Sequence, residues 1–230
     1  MLCAIYRISL LYVADQQTAL RSECQFCAHF QLRGSLFTFT SPYAKTLSNT
    51  LDTYQASTMN SQFRPLNVLT DFTENPFTFF ANAPILLAGD HEQYNAMTIG
   101  WGALGNLWGM ERPTATVYVA PARHTFEFIE NAKYFVIMTF ASSTVAEYMG
   151  CYSGRDVDKV KVLGLTVDYT PNGSPYFVEA TSVMECEIMY AAPLEETQFR
   201  NQVPKRLYEN FPAGIHSMFI GDVVATWQKK

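Results

Sequence analysis

The sequence has no concentration of positive charge. Its 230 residues carry 16 Lys and Arg against 21 Asp and Glu, a formal net charge of −5. With no basic cluster to offset that balance, the chain has no electrostatic footprint for nucleic acid, and no such partner is expected. No apolar run approaches the roughly 18 residues that a membrane-spanning helix needs, so no membrane partner is expected either. The opening stretch, "MLCAIYRISLLYVADQQ", is apolar only briefly and lacks the basic start of a secretory signal; the expected location is the cytoplasm. Cysteine is sparse and odd in number: Cys3, Cys24, Cys27, Cys151 and Cys186. A secreted disulfide framework would be denser and even, so these read as unpaired thiols in a reducing compartment. Cys24-Gln-Phe-Cys27-Ala-His29 lacks the His directly after the second Cys that haem attachment requires. It also lacks a second ligand pair at zinc spacing, and no metal is expected. Absent too are a Gly-x-Ser-x-Gly elbow, a His-Glu-x-x-His pair and a phosphate loop ending in Gly-Lys-Ser/Thr. That leaves room for chemistry carried by a cofactor.

What is abundant is aromatic: 17 Phe, 13 Tyr and 3 Trp within a hydrophobic content of 48%. Such rings suit the pleated faces of a β-rich fold. The chain divides into two unlike parts. Residues 1–60 include "TSPYAKTLSNTLDTYQASTMN", rich in Ser, Thr and Asn without apolar period, which reads as linker or disorder. The working domain is therefore expected over 61–230, beginning near Met59, with the upstream part an appendage or an over-extended reading frame. Abundant N-terminal peptides from natively sourced protein would rule out the reading-frame version.

From residue 82 the pattern sharpens. "NAPILLAGD" reads as a short strand, turned by "DHEQY" into a hairpin partner over 95–101. "PTATVYVAP" alternates Ala115, Val117 and Val119 against Thr114, Thr116 and Tyr118. "RHTFEFIENA" has helical spacing, with Thr125 placed to cap it; "KYFVIMTF" is a continuous buried strand. "STVAEYMGCYSG" reads as a helix ended at Gly150 or Gly154. "DVDKVKVLGL" reads as one capped near Asp156 and stopped at Gly164. "TSVMECEIMYAAP" and "HSMFIGDVVATWQ" close the chain as strands. Strands joined by short helices and turns favour an antiparallel barrel over a parallel sheet.

Within "NAMTIGWGALGNLWG" stands a literal Gly-x-Gly-x-x-Gly, at Gly100, Gly102 and Gly105. As a dinucleotide loop it fails, because Gly109 and Pro113 close off the helix that should follow. On the residues alone, the stretch is a glycine-rich turn with Trp101 and Trp108 in the core.

Several stretches in one order, from about residue 75 to 226, resemble the flavin reductase-like, FMN-binding split-barrel family that includes flavoredoxin. They are "NAMTIGWGALGNLWG…RPTATVYVAPARHTFEFIENAKYFVIMTF", "CYSGRDVDKVKVLGLT", "PYFVEA" and "HSMFIGDVV". The resemblance implies a mainly β fold with short helices, a six-stranded antiparallel Greek-key split barrel. It also implies a homodimer with FMN near the subunit interface. In such proteins a strand and its following turn run beside the flavin, so Gly100, Gly102 and Gly105 would allow close approach and unusual dihedral angles. Asn95, Thr98 and Trp101 would face the ligand. At "PARHTFEFI", Arg123 would be the phosphate cation and Thr125 a hydroxyl donor at a helix start, with an Arg123–Glu127 surface ion pair as the plain alternative. Ser153, Gly154 and Arg155 would be flavin or nicotinamide contacts, whereas Asp158 and Lys159 read as local charge pairs. His216, before the last strand, is a candidate for hydrogen bonding flavin or substrate, with no acid–base partner visible in sequence.

The implied activity is that of an NAD(P)H-dependent oxidoreductase. It would pass a hydride to FMN and electrons to a small-molecule or protein acceptor, with the protein positioning the cofactor. The alternatives are a flavoredoxin-type electron carrier and a non-catalytic flavin-binding module.

Overall fold

The computed structural model describes residues 59–230 apart from Met110, and upstream only the strands β1 (His29–Leu32) and β2 (Ser35–Thr38). The chain falls into two compact units, Met1–Leu51 and Asp52–Lys230. In the first unit β1 and β2 form an antiparallel pair. The expectations for 1–60, including the Cys24–His29 stretch, otherwise fall outside the described residues.

The second unit is built on one antiparallel sheet of eight strands. The short β3 (Phe63–Pro65) pairs with β12 (Ser217–Lys229). The main path begins with the hairpin of β4 (Ile85–Gly89) and β5 (Tyr94–Thr98). It continues through β8 (Tyr134–Thr139), β11 (Ser182–Pro193) and β12 to β7 (Pro113–Val119) and β6 (Gly102–Asn106). The architecture is the mainly β, short-helix arrangement the resemblance implied, with eight strands where six were expected.

Both faces of this sheet are covered, which is why β4 over 85–88 and β8 over 135–138 are continuously apolar. Leu86, Ala88, Phe135 and Ile137 enter one buried cluster with Ala115, Val117, Val119 and Phe219. Ile85, Leu87, Val136 and Met138 enter a second, with Met149, Tyr176 and Phe177. The second cluster receives side chains from α3 (Ser143–Cys151), α4 (Lys159–Leu163) and the hairpin of β9 (Val167–Tyr169) and β10 (Pro175–Phe177). Register shifts leave Val224 of β12 unpaired opposite Glu185/Cys186 and Met189 of β11 unpaired between Ile188 and Tyr190, one bulge in each strand. Bulges bend a strand and increase its twist, as a coiled sheet requires.

Several local expectations shift. Besides the short α1 (Pro76–Phe79), the helices are α2 (His124–Ile129), α3, α4 and α5 (Gln202–Glu209). Arg123, not Thr125, occupies the N-cap of α2, and it makes no side-chain cap bond. The N-cap of α4 is Asp158, not Asp156, and Gly164 closes that helix in the left-handed region at φ 63°. A carboxylate can cap only where the backbone turns helical, and the turn at 153–157 delays that point. Gly150 lies inside α3, which runs to Cys151. The expected strand over 95–101 ends at Thr98, and Gly102 and Gly105 lie in the separate strand β6.

The glycines of the Gly-x-Gly-x-x-Gly stretch are therefore not dihedral devices. None of Gly100, Gly102 and Gly105 has positive φ. Gly102 is instead a close approach, since a Cβ there would lie 2.3 Å from the Phe80 ring. Trp101 and Trp108 are not core residues either, being 40% and 53% exposed. A single sequence does not reveal that Trp101 and Trp108 flank β6, the last strand of the sheet path, instead of entering the core.

Candidate functional site

The candidate residues separate into two groups. The first surrounds an open cleft of about 310 Å³ beside β5, lined by Asn95, Gly154, Arg155, Asp158 and Lys159 among others. Asn95 is only 8% exposed, and its Nδ2 donates to the hydroxyl of Thr125 at 2.7 Å and to its neighbour Ala96's carbonyl at 3.4 Å. Both donors of the amide are thus used within the fold, which leaves Oδ1 as its free acceptor. Oδ1 faces Gly154, where an added Cβ would lie 2.0 Å away. Only glycine fits this position. Thr125, 1% exposed, is spent on Asn95 rather than on capping α2.

Ser153 and Arg155 shape the loop next to that contact. The Ser153 hydroxyl accepts from the Arg155 backbone N–H at 3.2 Å. The Arg155 guanidinium donates to the Ala122 carbonyl at 3.2 Å and to the Glu127 carboxylate. Glu127 therefore pairs with Arg155 rather than with Arg123, and the Arg155 hydrogen bond holds its carboxyl below the usual range. His124 Nδ1 lies 3.1 Å from Glu127 but without hydrogen-bond alignment, so this buried nitrogen has no satisfied bond. Arg123 belongs to none of the four ion pairs among the described residues, and it is exposed. Its cation is available to an anion.

Thr98 lies at the end of β5, and its hydroxyl donates to the Ala146 carbonyl of α3. Gly150 packs on it, a Cβ there lying 3.4 Å from the Thr98 side chain. Gly100 stands in open space on the exposed turn after β5.

The second group is aromatic. Trp101 lies against His216, with ring centroids 4.4 Å apart, and stacks on Phe211 at 6.0 Å. The Tyr208 hydroxyl and His216 Nδ1 are 2.9 Å apart, so His216 does have a partner, supplied by α5. Burial, and secondarily the Arg123 charge, push the imidazole pKa down; the ring is neutral near pH 7. Arg123 thus acts on the second group while adjoining Thr125 of the first.

Sequence reasoning missed Tyr208 and Lys159. Nothing in spacing announces Tyr208, because the approach of α5 to His216 is tertiary. Lys159 did leave a trace: it precedes the partly buried Leu163 by four residues on the same helical face. It is 5% exposed, and it belongs to no ion pair among the described residues. Its Nζ donates to the carbonyls of Ala96 at 2.6 Å and Met149 at 3.3 Å. Among the described residues no group of three His, Cys, Asp or Glu side chains is placed to hold a metal, and no helix is long and apolar enough to cross a membrane.

A family model described as the flavin reductase like domain matches residues 79–230. Among solved structures, an FMN-binding domain of a flavin reductases-like enzyme from Shewanella baltica OS155 aligns at a TM-score of 0.50 with 16% identity. That alignment covers 75% of this chain and 80% of that one, and the likeness is one of fold. Flavoredoxin from Methanosarcina acetivorans aligns at a TM-score of 0.48 with 24% identity, over 64% and 69% of the two chains. An FMN-binding protein from Thermus thermophilus aligns at 0.49 with 22% identity, over 74% and 80%. A comparison with curated proteins gives no significant match.

Proposed function

Because the chain belongs to the flavin reductase-like family, we propose that it is an FMN-binding oxidoreductase that uses NAD(P)H as its electron donor. The observation that carries this reading is the meeting of Asn95 and Gly154 on one cleft, with Thr125 hydrogen-bonded to Asn95 from within the fold and Arg123, which belongs to no ion pair among the described residues, two positions before Thr125. These residues fit the group. Asn95 Oδ1 would be an acceptor for a ring N–H, Gly154 lets the Asn95 amide pack against the loop at the cleft wall, and Arg123 would be a cation for a phosphate. Held by these residues, FMN would supply redox chemistry, with NAD(P)H as hydride donor and a small molecule or protein as the electron acceptor.

The chain's own part is positional. Thr125 fixes the Asn95 amide so that it meets a ligand already oriented, which lowers the ordering cost of binding. Trp101, Phe211 and His216 pack ring against ring in an aromatic cluster that would exclude water beside a bound ring. A neutral His216 bonded to Tyr208 offers one ring nitrogen for a hydrogen bond without adding charge to that cluster. Ser153 and Arg155 serve by holding the loop at Gly154, Thr98 by tying β5 to α3. The same resemblance carries a homodimer, and sedimentation at twice the chain mass would support it.

The test is an anaerobic visible spectrum of the purified protein, before and after adding NADH and then NADPH. A flavin spectrum that bleaches with either nucleotide is expected. A flavin spectrum that neither nucleotide bleaches would favour an electron carrier of flavoredoxin type. A colourless protein that takes up no added FMN would sink the reading.

A further inference from the structure

Lys159 lines the same cleft, and its burial needs an explanation, because a lysine removed from water favours its neutral form. Burial alone brings its ammonium pKa down to about 8. Tyr94 on β5 and Arg155, Asp156 and Asp158 of the preceding loop share the cleft, while α3 contributes the apolar Met149. None of these charges is a cause of the shift.

The amine instead joins two elements through their backbones. The Ala96 carbonyl belongs to β5 and the Met149 carbonyl to the last turn of α3. Carbonyls at a helix end lack intrahelical partners, and the negative end of the helix dipole favours a cation there. Ala96's carbonyl is also the one that accepts from Asn95 Nδ2, so the ammonium and the Asn95 amide share an acceptor.

We propose that Lys159 is a positioning residue for the flavin: by cross-linking β5 to α3 it holds the Asn95 side chain in place against Gly154 at the wall of the cleft. This role presupposes the flavin-binding reading of the cleft. It acts through Asn95 and the two carbonyls rather than by contact with the reacting atoms. A charged donor makes stronger hydrogen bonds than a neutral amine, so the cross-link is tighter while the proton is held.

Two pH effects of opposite sign follow. For folding, a lysine whose native pKa lies below its unfolded value binds fewer protons in the native state. Its contribution to stability therefore rises between pH about 8 and its ordinary 10.5. For binding, losing the proton slackens the cross-link, so FMN affinity falls as pH rises through about 8. A residue that merely supported the fold would not separate the two.

The experiment is titration of the full chain with FMN, followed by quenching of flavin fluorescence, from about pH 7 to about pH 9.5. It uses the unmodified protein, Lys159→Met, Asn95→Ala and the double variant, with thermal unfolding recorded alongside. The unmodified protein should lose about five- to tenfold in affinity across that range, in line with exchanging charged for neutral donors. Lys159→Met should bind about tenfold more weakly at the lower pH, show no step near pH 8, and add little to Asn95→Ala. Equal effects of Lys159→Met in both backgrounds, or a pH profile that the substitution leaves unchanged, would overturn the positioning role. If Lys159→Met does not fold, the unmodified protein decides: affinity flat or rising through pH 8 overturns it. Absence of FMN binding by the unmodified protein at every pH would overturn the flavin-binding reading instead.

Discussion

Arg123 and Arg155 look alike in sequence, two arginines each directly after a small residue (Ala122 and Gly154), yet the structure gives them different work. Arg155 donates to the Ala122 carbonyl and to Glu127, whereas Arg123 has no ion-pair partner among the described residues. Nothing in either motif announces this, because Glu127 lies four residues from Arg123 and 28 from Arg155. Spacing favours the local pair, and only folding brings the distant guanidinium closer. Arg123→Ala should therefore weaken FMN binding by roughly tenfold or more, the value of charge-assisted bonds to phosphate, with the melting temperature unchanged. Isothermal titration with FMN checks it, and unchanged affinity would remove Arg123 from the site. The Arg155–Glu127 pair, with both side chains about half exposed, contributes little to stability by itself; its role is the shape of the loop over Asn95.

At the scale of elements, α4 shows how close a sequence reading comes. An acidic start, an apolar stripe and a terminal glycine announce a helix, and a helix is there. Its start moved by two residues because the hydrogen bonds of Asp156 and Val157 to the Ser153 carbonyl belong to a turn that has no apolar signature. That shift matters for the site, since it sets Lys159 on the buried face instead of among surface charges. Asp158 caps the helix by accepting from the Lys161 N–H at 3.0 Å. Asp158→Ala should cost about 1 kcal/mol of unfolding free energy, the usual value of a lost N-cap, measured as a lower denaturation midpoint in urea with an unchanged slope. A change below a few tenths would mean that tertiary contacts alone hold α4 in place. β6 teaches the converse. Its glycines read as a turn, but one of them is required because the Phe80 ring, 22 residues earlier, lies against the strand.

Across the whole molecule the two apolar clusters hold the fold, one on each face of the sheet. Leu86, on a central strand and fully buried, belongs to the first. Leu86→Ala should destabilise the protein by about 2–5 kcal/mol, a large share of the roughly 5–15 kcal/mol typical of a domain. Chemical denaturation measures it directly, and a loss under about 1 kcal/mol would mean that the cluster collapses to fill the gap. Such a variant should lower FMN binding only through the unfolded fraction, which separates it from substitutions at Arg123 or Lys159.

Composition and period by themselves determined the class of this protein. Alternating and continuous apolar runs place β4, β7, β8, β11 and β12, because a side chain's face in a strand depends on nearest neighbours along the chain. The ordered motifs from residue 75 to 226 were enough to indicate the family. Tertiary structure alone decided which groups meet. It brought Asn95 to Thr125 and Gly154, gave Glu127 to Arg155, joined Tyr208 to His216 and buried Lys159 between two carbonyls. Each of these contacts links elements that lie apart in sequence, or lodges a polar group where solvent would otherwise hold it. Its energy depends on distance in space and on exclusion of water, and neither quantity is written in residue order.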